Sequence, residues 1–460
     1  MSRPTKHRLT ALAMVALVSF LCGGWLLNRG PAAEADLTHQ SRVLETVLEV
    51  IYDHSLDSPN RTELFQNTAR TLVAQLRDPY AELLVGDGYR QFNRQMSGTS
   101  GGTVFPAPDR STSGEVTRIP AISPGIMLAP TVGYVALHTL SEGSAQELAT
   151  EIWSLRKQGM RSLVLDLRNN PGGLIKQGVQ VAELFLERGD TIASTRGRKG
   201  SHSKTYVADS GELWPGLMLV LLVNEGTASS AELIAGAIQD HDRGAIVGQP
   251  TFGKGVLQTT YPLGGEMAIK LTTARWFTPS GRSVNRPRTR SDSLMAKRRG
   301  ANKAGGMVFQ TEGGRRLTEG HGVMPELIVR RDGYTAAERA FLDSLGSSYA
   351  AFRGALADVA LNARADADVI SPDFEVTPEM RARLYGALME RGLGLSPELF
   401  ASAARYVDRQ LAYEIARELF GDAAASRRRL LSDRQMQASL GLVERAASQG
   451  ELLRLAEDPR

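Results

Sequence analysis

The sequence predicts an α/β core, preceded by a short helical region and followed by an all-helical carboxy-terminal domain. Three observations predict it. The apolar runs SLVLDL (162–167) and LMLVLLVN (217–224) have strand length and the unbroken apolar character of strands buried on both faces. Helical patterns lie between them, so strand, helix, strand and helix alternate as in a parallel sheet with right-handed crossovers. After about residue 333 strand patterns cease and helix signals take over.

The elements follow in order. Lys6, His7 and Arg8 precede LTALAMVALVSFLCGGWLL (9–27), which carries no charge. A basic flank before an apolar run of this length reads as a secretory signal or an amino-terminal membrane anchor within residues 1–35. The anchor is the preferred reading; a cut after Ala33 or Ala35 in PAAEA is the alternative. The flank orients the remaining chain outside the cytoplasm, in the periplasm or cell envelope. Residues 36–97 form the helical region. Val43, Leu44, Val47, Leu48 and Ile51 recur at helical spacing, Asn60 is a cap, and Asp78-Pro79 is a stop.

The core is expected over 98–332. VGYVAL (132–137) is a short strand, a helix follows around 143–158, and SLVLDL leads through RNNPGG into the helix LIKQGVQVAELFLERG. LMLVLLVN runs into NEGTASSAELIAGAIQDHDR, and AIKLTTARWFTP (268–279) adds a later strand. Residues 286–320 are basic and loop-like; the bland reading is a solvated surface, the sharper one a contact with anionic lipid or acidic substrate. In residues 333–460, Thr377-Pro378 and Ser396-Pro397 each put a capping residue before proline at the first helical position. The second opens SPELFASAARYVDRQLAYEIARELFG, with Leu399, Ala403, Tyr406, Val407, Leu411 and Ile415 on one face. Packing within the chain and binding of a partner both remain open for this domain.

Composition narrows the function. The 460 residues allow two or three domains, and a formal charge of +4 is too small for this length to imply nucleic acid binding. The single cysteine, Cys22, precludes an internal disulfide and a Cys-rich metal site.

Ser229 is the first candidate for chemistry. Ser229-Ser230-Ala231-Glu232 fits a capping box, and Leu233, Ile234, Ala237 and Ile238 suit a half-buried helix. Yet a serine at a tight strand-to-helix turn is also exposed at the strand's carboxyl end, where amides and helix dipole favour an oxyanion. Ser230 N–H is the donor on that side. None of the seven histidines sits in a triad context, and His241 lies at the far end of the same helix. Lysine is the alternative base if burial or crowding lowers its pKa. In TFGKGVLQ, Lys254, Val256 and Gln258 share a strand face, so Gln258 can hold the Lys254 amine; the alternative is a turn lysine in solvent. The glycines of RNNPGG, Gly172 and Gly173, can offer a second oxyanion donor or simply form an ordinary loop.

Three rival motifs lack their context. Gly98-Thr99-Ser100-Gly101-Gly102 matches G-x-S-x-G without a preceding buried strand or a following apolar helix. Ser201-His202-Ser203-Lys204 matches S-x-x-K with no S-D-N or K-T-G downstream. Neither H-E-x-x-H nor an EF-hand loop occurs.

With these pieces in place, the sequence resembles the carboxy-terminal-processing (tail-specific) proteases, serine peptidases with a Ser–Lys dyad. The resemblance rests on LRDPY (76–80), SLVLDLRNNPGGL (162–174), VNEGTASSAELIAGAIQDHDRGAIVGQPTFGKGVLQ (223–258), LTTARWFTPSGRSV (271–284) and HGVMPELIV (321–329), in the family's order. It implies a crotonase-like core. It puts the nucleophile on Ser229, the general base on Lys254 at the family's spacing (254 − 229 = 25), and the orienting glutamine on Gln258. The oxyanion donors fall on the Ser230 amide and the 172/173 pair. Gly226-Thr227-Ala228 and Ala231 depart mildly from the family's usual residues. A larger departure lies between Gly101-Gly102 and VGYVAL, where residues 103–131 are too few for the family's PDZ domain, since a domain needs about 50 residues or more.

The resulting expectation is a serine endopeptidase of extracytoplasmic proteins, needing no metal or cofactor. Its expected partners are protein substrates, the membrane through the amino-terminal segment, and an adaptor or second copy through the helical domain. The alternative is a non-catalytic lipid- or protein-binding scaffold on the same fold.

Overall fold

The computed structural model describes residues 31–57, 59–97, 121–286, 309–363, 369 and 371–458. The apolar segment 9–27, the glycine-rich 98–102 and most of the basic stretch lie outside the described residues. Among the described residues no helix is long and apolar enough to cross a membrane.

The chain divides into two units, one of residues up to Arg77 with Ala81–Leu83, the other of Asp78–Tyr80 with Leu84 onward. In the first, helices α1 (Pro31–His54) and α2 (Arg61–Ala74) form as expected. Asn60 caps α2 by accepting from the amides of Thr62 and Glu63 at 3.0 and 3.2 Å. The expected apolar stripe is not buried within this unit: Val43, Leu44, Val47 and Ile51 are exposed. Residues 82–97 were read as helical, but Glu82–Val85 is a strand (β1), too short to signal itself, before helix α3 (Asp87–Ser97).

The second unit is built on a six-stranded sheet. Strands β2 (Ile126–Ala129), β3 (Val132–Ala136), β4 (Ser162–Asp166), β7 (Met218–Val223), β8 (Ala245–Gly248) and β13 (Leu327–Ile328) lie in the order β13-β8-β7-β4-β3-β2. All neighbours are parallel except β2 with β3. Parallel sheets bury both faces, and alternate residues divide between two cores. Leu163, Leu165, Leu219, Leu221 and Ile246 face the crossover helices α4 (Ser144–Lys157), α5 (Ile175–Glu183) and α6 (Ser230–Asp240). Val164, Val220, Leu222, Ala245 and Val247 face the other way, onto Met436, Leu442, Val443, Leu452 and Leu453.

Those last residues sit on the chain's final helices, Arg434–Arg445 and Gln449–Glu457. The boundary expected at 333 therefore does not separate a helical domain from the core. Residues 341–425 have a core of their own, whereas the helices after 430 supply the sheet's second helical layer. Thr377 and Ser396 cap as expected, but SPELFASAARYVDRQLAYEIARELFG breaks at Ala403 into Pro397–Ser402 and Ala404–Phe420.

A second, antiparallel sheet pairs β10 (Met267–Phe277) with β9 (Val256–Gly264) and β5 (Thr191–Gly197), and β5 with β6 (Lys204–Val207). The described end of the basic stretch is more structured than expected. Phe309–Gln310 and Arg316–Leu317 pair as a hairpin, and Arg315 bonds Asp242 at 2.6 Å and Glu326 at 2.7 Å.

Candidate active site

Ser229 sits where β7 ends and α6 begins. Its backbone is at φ 58° and ψ −121°, a region that L-residues avoid at a cost of about 1–3 kcal/mol. The expected capping box is present, although the backbone of Ser229 is not at the extended angles of an ordinary capping serine. The Glu232 carboxylate accepts from the Ser229 amide at 2.9 Å, and the Ser229 side chain faces the Glu232 amide. Ser229 also lines a cavity of about 480 Å3, together with Gly173, Ser230, Lys254 and Gln258.

Glu232 does more than close a helix end. It is fully buried and accepts four hydrogen bonds: from Ser229 N, Thr251 Oγ1 (2.5 Å), Gly253 N (2.7 Å) and Lys254 N (2.8 Å). Burial pushes its carboxyl up and these donors oppose the shift. One carboxylate thus clamps the Ser229 turn to the Lys254 turn. Its position three residues after a serine disguised this role as capping.

Lys254 precedes its strand rather than lying on it, because β9 starts at Val256. Its Nζ still donates to Gln258 Oε1 at 2.8 Å and lies 5.0 Å from the centroid of the Tyr80 ring. Gln258 Nε2 donates to the Tyr80 carbonyl at 2.6 Å, and the Thr272 amide donates to Asp78 Oδ2 at 3.1 Å. The DPY end of LRDPY therefore builds the lysine's surroundings, a role carried by a carbonyl and invisible in side-chain patterns. Burial holds the Lys254 amine below the ordinary lysine value; Lys270, another residue lining the cavity, adds to this, while Glu232 and Asp78 oppose it.

The RNNPGG loop abuts the same turn. At Gly172, φ is 89°, and a Cβ would meet Ala228 O at 2.7 Å and Ser230 N at 2.9 Å. At Gly173, φ is 150°, and a Cβ would meet Leu140 O at 2.3 Å. Only glycine fits either position. The Gly172 amide is already bonded to Asn170 Oδ1 at 2.8 Å. Among the described residues the amides of Gly173 and Ser230 make no hydrogen bond. Asn170 straps the two turns together: its Nδ2 donates to Leu137 O at 2.8 Å and its carbonyl accepts from Ala228 N at 2.9 Å. Asn169 and Asn224 bond each other twice, at 2.9 and 3.0 Å. Thr227, one of the departures from the family pattern, donates to Leu167 O at 2.8 Å. Sequence reasoning assigned none of these asparagines.

The other motifs lie away from this cavity. His241 caps the far end of α6, with Nε2 2.8 Å from Thr191 O. Ser203 accepts from Gly197 N, and Lys204 lies over the Tyr206 ring. Among the described residues no group of three or more His, Cys, Asp or Glu is arranged to hold a metal.

Comparisons with known proteins converge on one family. Residues 131–294 match the model of peptidase family S41. A carboxy-terminal-processing protease of Bartonella bacilliformis is 41% identical over 157 residues, 33% of this chain and 36% of that protein. A carboxyl-terminal-processing protease of Synechocystis is 40% identical over 156 residues, 34% of this chain and 36% of that protein. Among solved structures, the photosystem II D1 C-terminal processing protease matches at 34% identity and a TM-score of 0.33, over 37% of this chain and 47% of that one. The chain spans about a third of the length of the two curated relatives.

Proposed function

We propose, from the match of residues 131–294 to peptidase family S41, that the chain is a serine endopeptidase of the carboxy-terminal-processing kind. Lys254, neutral, takes the proton from Ser229 Oγ. The alkoxide attacks the peptide carbonyl, the amine product leaves with a proton returned by Lys254, and water hydrolyses the acyl-enzyme. Gln258 holds the lysine amine. The tetrahedral oxygen is received by the free amides of Ser230 and Gly173; Gly172 supports the loop rather than donating, because Asn170 occupies its amide.

The observation that carries this reading is Lys254. Its amine is desolvated, kept below the ordinary lysine value, and held by Gln258 in the cavity that Ser229 lines. A solvated turn lysine would have neither the shift nor the partner. The positive-φ backbone of Ser229 supports the reading too, since a serine that only caps a helix has extended angles.

The substrates in this reading are extracytoplasmic proteins, with the chain directed there by its basic and apolar amino terminus. Casein digestion tests the activity. Wild type should cleave, and Ser229→Ala should not. An inert wild type with a co-purifying lipid would favour a binding scaffold instead.

A further inference from the structure

A cavity of about 980 Å3 opens among residues 331–434 and shares no lining residue with the cavity that holds Ser229. Six arginines line it: Arg331, Arg353, Arg409, Arg428, Arg429 and Arg434. Three are matched by carboxylates: Arg353 by Glu414, Arg409 by Glu338 at 3.3 Å, and Arg434 by Asp332 at 3.7 Å. Among the described residues Arg331, Arg428 and Arg429 have no ion pair. Arg428 donates instead to the carbonyls of Pro372 and Phe374, at 2.5 and 2.6 Å, and its guanidinium lies 4.3 Å from the centroid of the Phe374 ring. Burial lowers its pKa from the ordinary value, with Asp373 opposing and Arg427 adding.

The acids of the lining do not supply the missing charge. Asp373 pairs with Arg427, Asp408 with Arg381 at 2.9 Å, and Asp433 with Arg168 at 2.7 Å, all arginines outside the lining. Glu375 alone has no ion pair among the described residues. Three unmatched guanidiniums against one unmatched carboxylate leave the cavity with excess positive charge, which attracts anions.

The cavity is larger than a free inorganic ion needs. The cavity has room for several residues of peptide, and the rings of Tyr334, Tyr406 and Tyr413 line it beside the arginines. Guanidinium forks bind carboxylates through paired hydrogen bonds, and tyrosine rings cover apolar stems. We propose that this cavity binds an acidic peptide segment, its carboxylates received by Arg331 and Arg429. Because Arg331 and Arg429 are exposed, binding weakens as salt screens the charges.

The test uses the full-length Ser229→Ala chain, so that the probe is not cut. A fluorescein-labelled Glu-Gly repeat peptide is titrated by anisotropy against its Gln-Gly counterpart. The Glu-Gly peptide should bind saturably, and the Gln-Gly peptide about ten-fold more weakly or less. Arg331→Gln with Arg429→Gln should weaken Glu-Gly binding about ten-fold, the loss expected for two charge-assisted contacts at an open site. Glu375→Gln, which removes the opposing charge, should tighten it. Equal binding of both peptides overturns the proposal. So does unchanged binding by the double variant, which would move the contact to the intact basic segment at 286–304. Competition by inorganic phosphate as effective as by unlabelled Glu-Gly peptide, at equal ionic strength, would make this a small-ion site and also overturn it.

Discussion

Lys254 Nζ donates to Gln258 Oε1 at 2.8 Å while Gln258 Nε2 donates to the Tyr80 carbonyl at 2.6 Å. The second bond orients the first. A carbonyl accepts only from the amide nitrogen, so the amide oxygen must face the lysine. Gln258→Leu should cut kcat about ten- to a hundred-fold through a misplaced amine. Gln258→Glu tests the sign. A carboxylate beside Lys254 favours the ammonium, so the rising limb of the pH–kcat/KM profile should move to higher pH. A limb that stays put would show that Gln258 does not act on the lysine.

Lys270 should tune the same group from the opposite direction. It is a like charge that lowers the Lys254 pKa, second only to burial. Lys270→Gln removes that repulsion, so the Lys254 pKa rises and the limb again moves to higher pH, less than with Gln258→Glu. Movement to lower pH would contradict the coupling.

Lys254 also makes a prediction that needs no substrate. Its folded-state pKa lies below the ordinary 10.5. Between the two values the unfolded chain binds more protons than the folded one, so this group makes stability rise with pH across that window. Lys254→Met should abolish that contribution and stabilise the fold at neutral pH. Urea melts of both proteins from pH 7 to 10 measure it, and a Lys254→Met chain less stable at pH 7 would contradict it.

Glu232 is the clamp between the Ser229 and Lys254 turns. Glu232→Gln turns one acceptor oxygen into a donor facing backbone N–H groups. The fold should lose about 2–4 kcal/mol, and activity should fall even where the variant remains folded. Thermal melts with parallel casein assays read both. Unchanged activity in a destabilised chain would confine Glu232 to packing.

The α/β alternation was legible because parallel strands must be apolar on both faces, and SLVLDL and LMLVLLVN advertise that directly. What covered the second face was not legible. Met436, Leu442 and Leu453 mark an apolar helix face, and such a face does not say which surface it meets. Spacing and resemblance singled out Ser229, Lys254 and Gln258, which line one cavity. Their support was less so: the Tyr80 carbonyl carries no side-chain signal, and the capping box that Glu232 does form gave no sign of its further bonds to Thr251, Gly253 and Lys254. Of the glycine pair, only hydrogen bonding separates Gly173, whose amide makes no bond among the described residues, from Gly172, whose amide is taken by Asn170.

The central claim is that Ser229 and Lys254 act as nucleophile and base. Casein hydrolysis by wild type, Ser229→Ala, Lys254→Met and Ser230→Ala tests it most directly. The two site variants should lose about a thousand-fold or more in kcat. Ser230→Ala should stay near wild type, because its buried hydroxyl has no partner and its amide is retained. Hydrolysis surviving in Ser229→Ala or Lys254→Met, or lost in Ser230→Ala with the fold intact, would contradict the assignment.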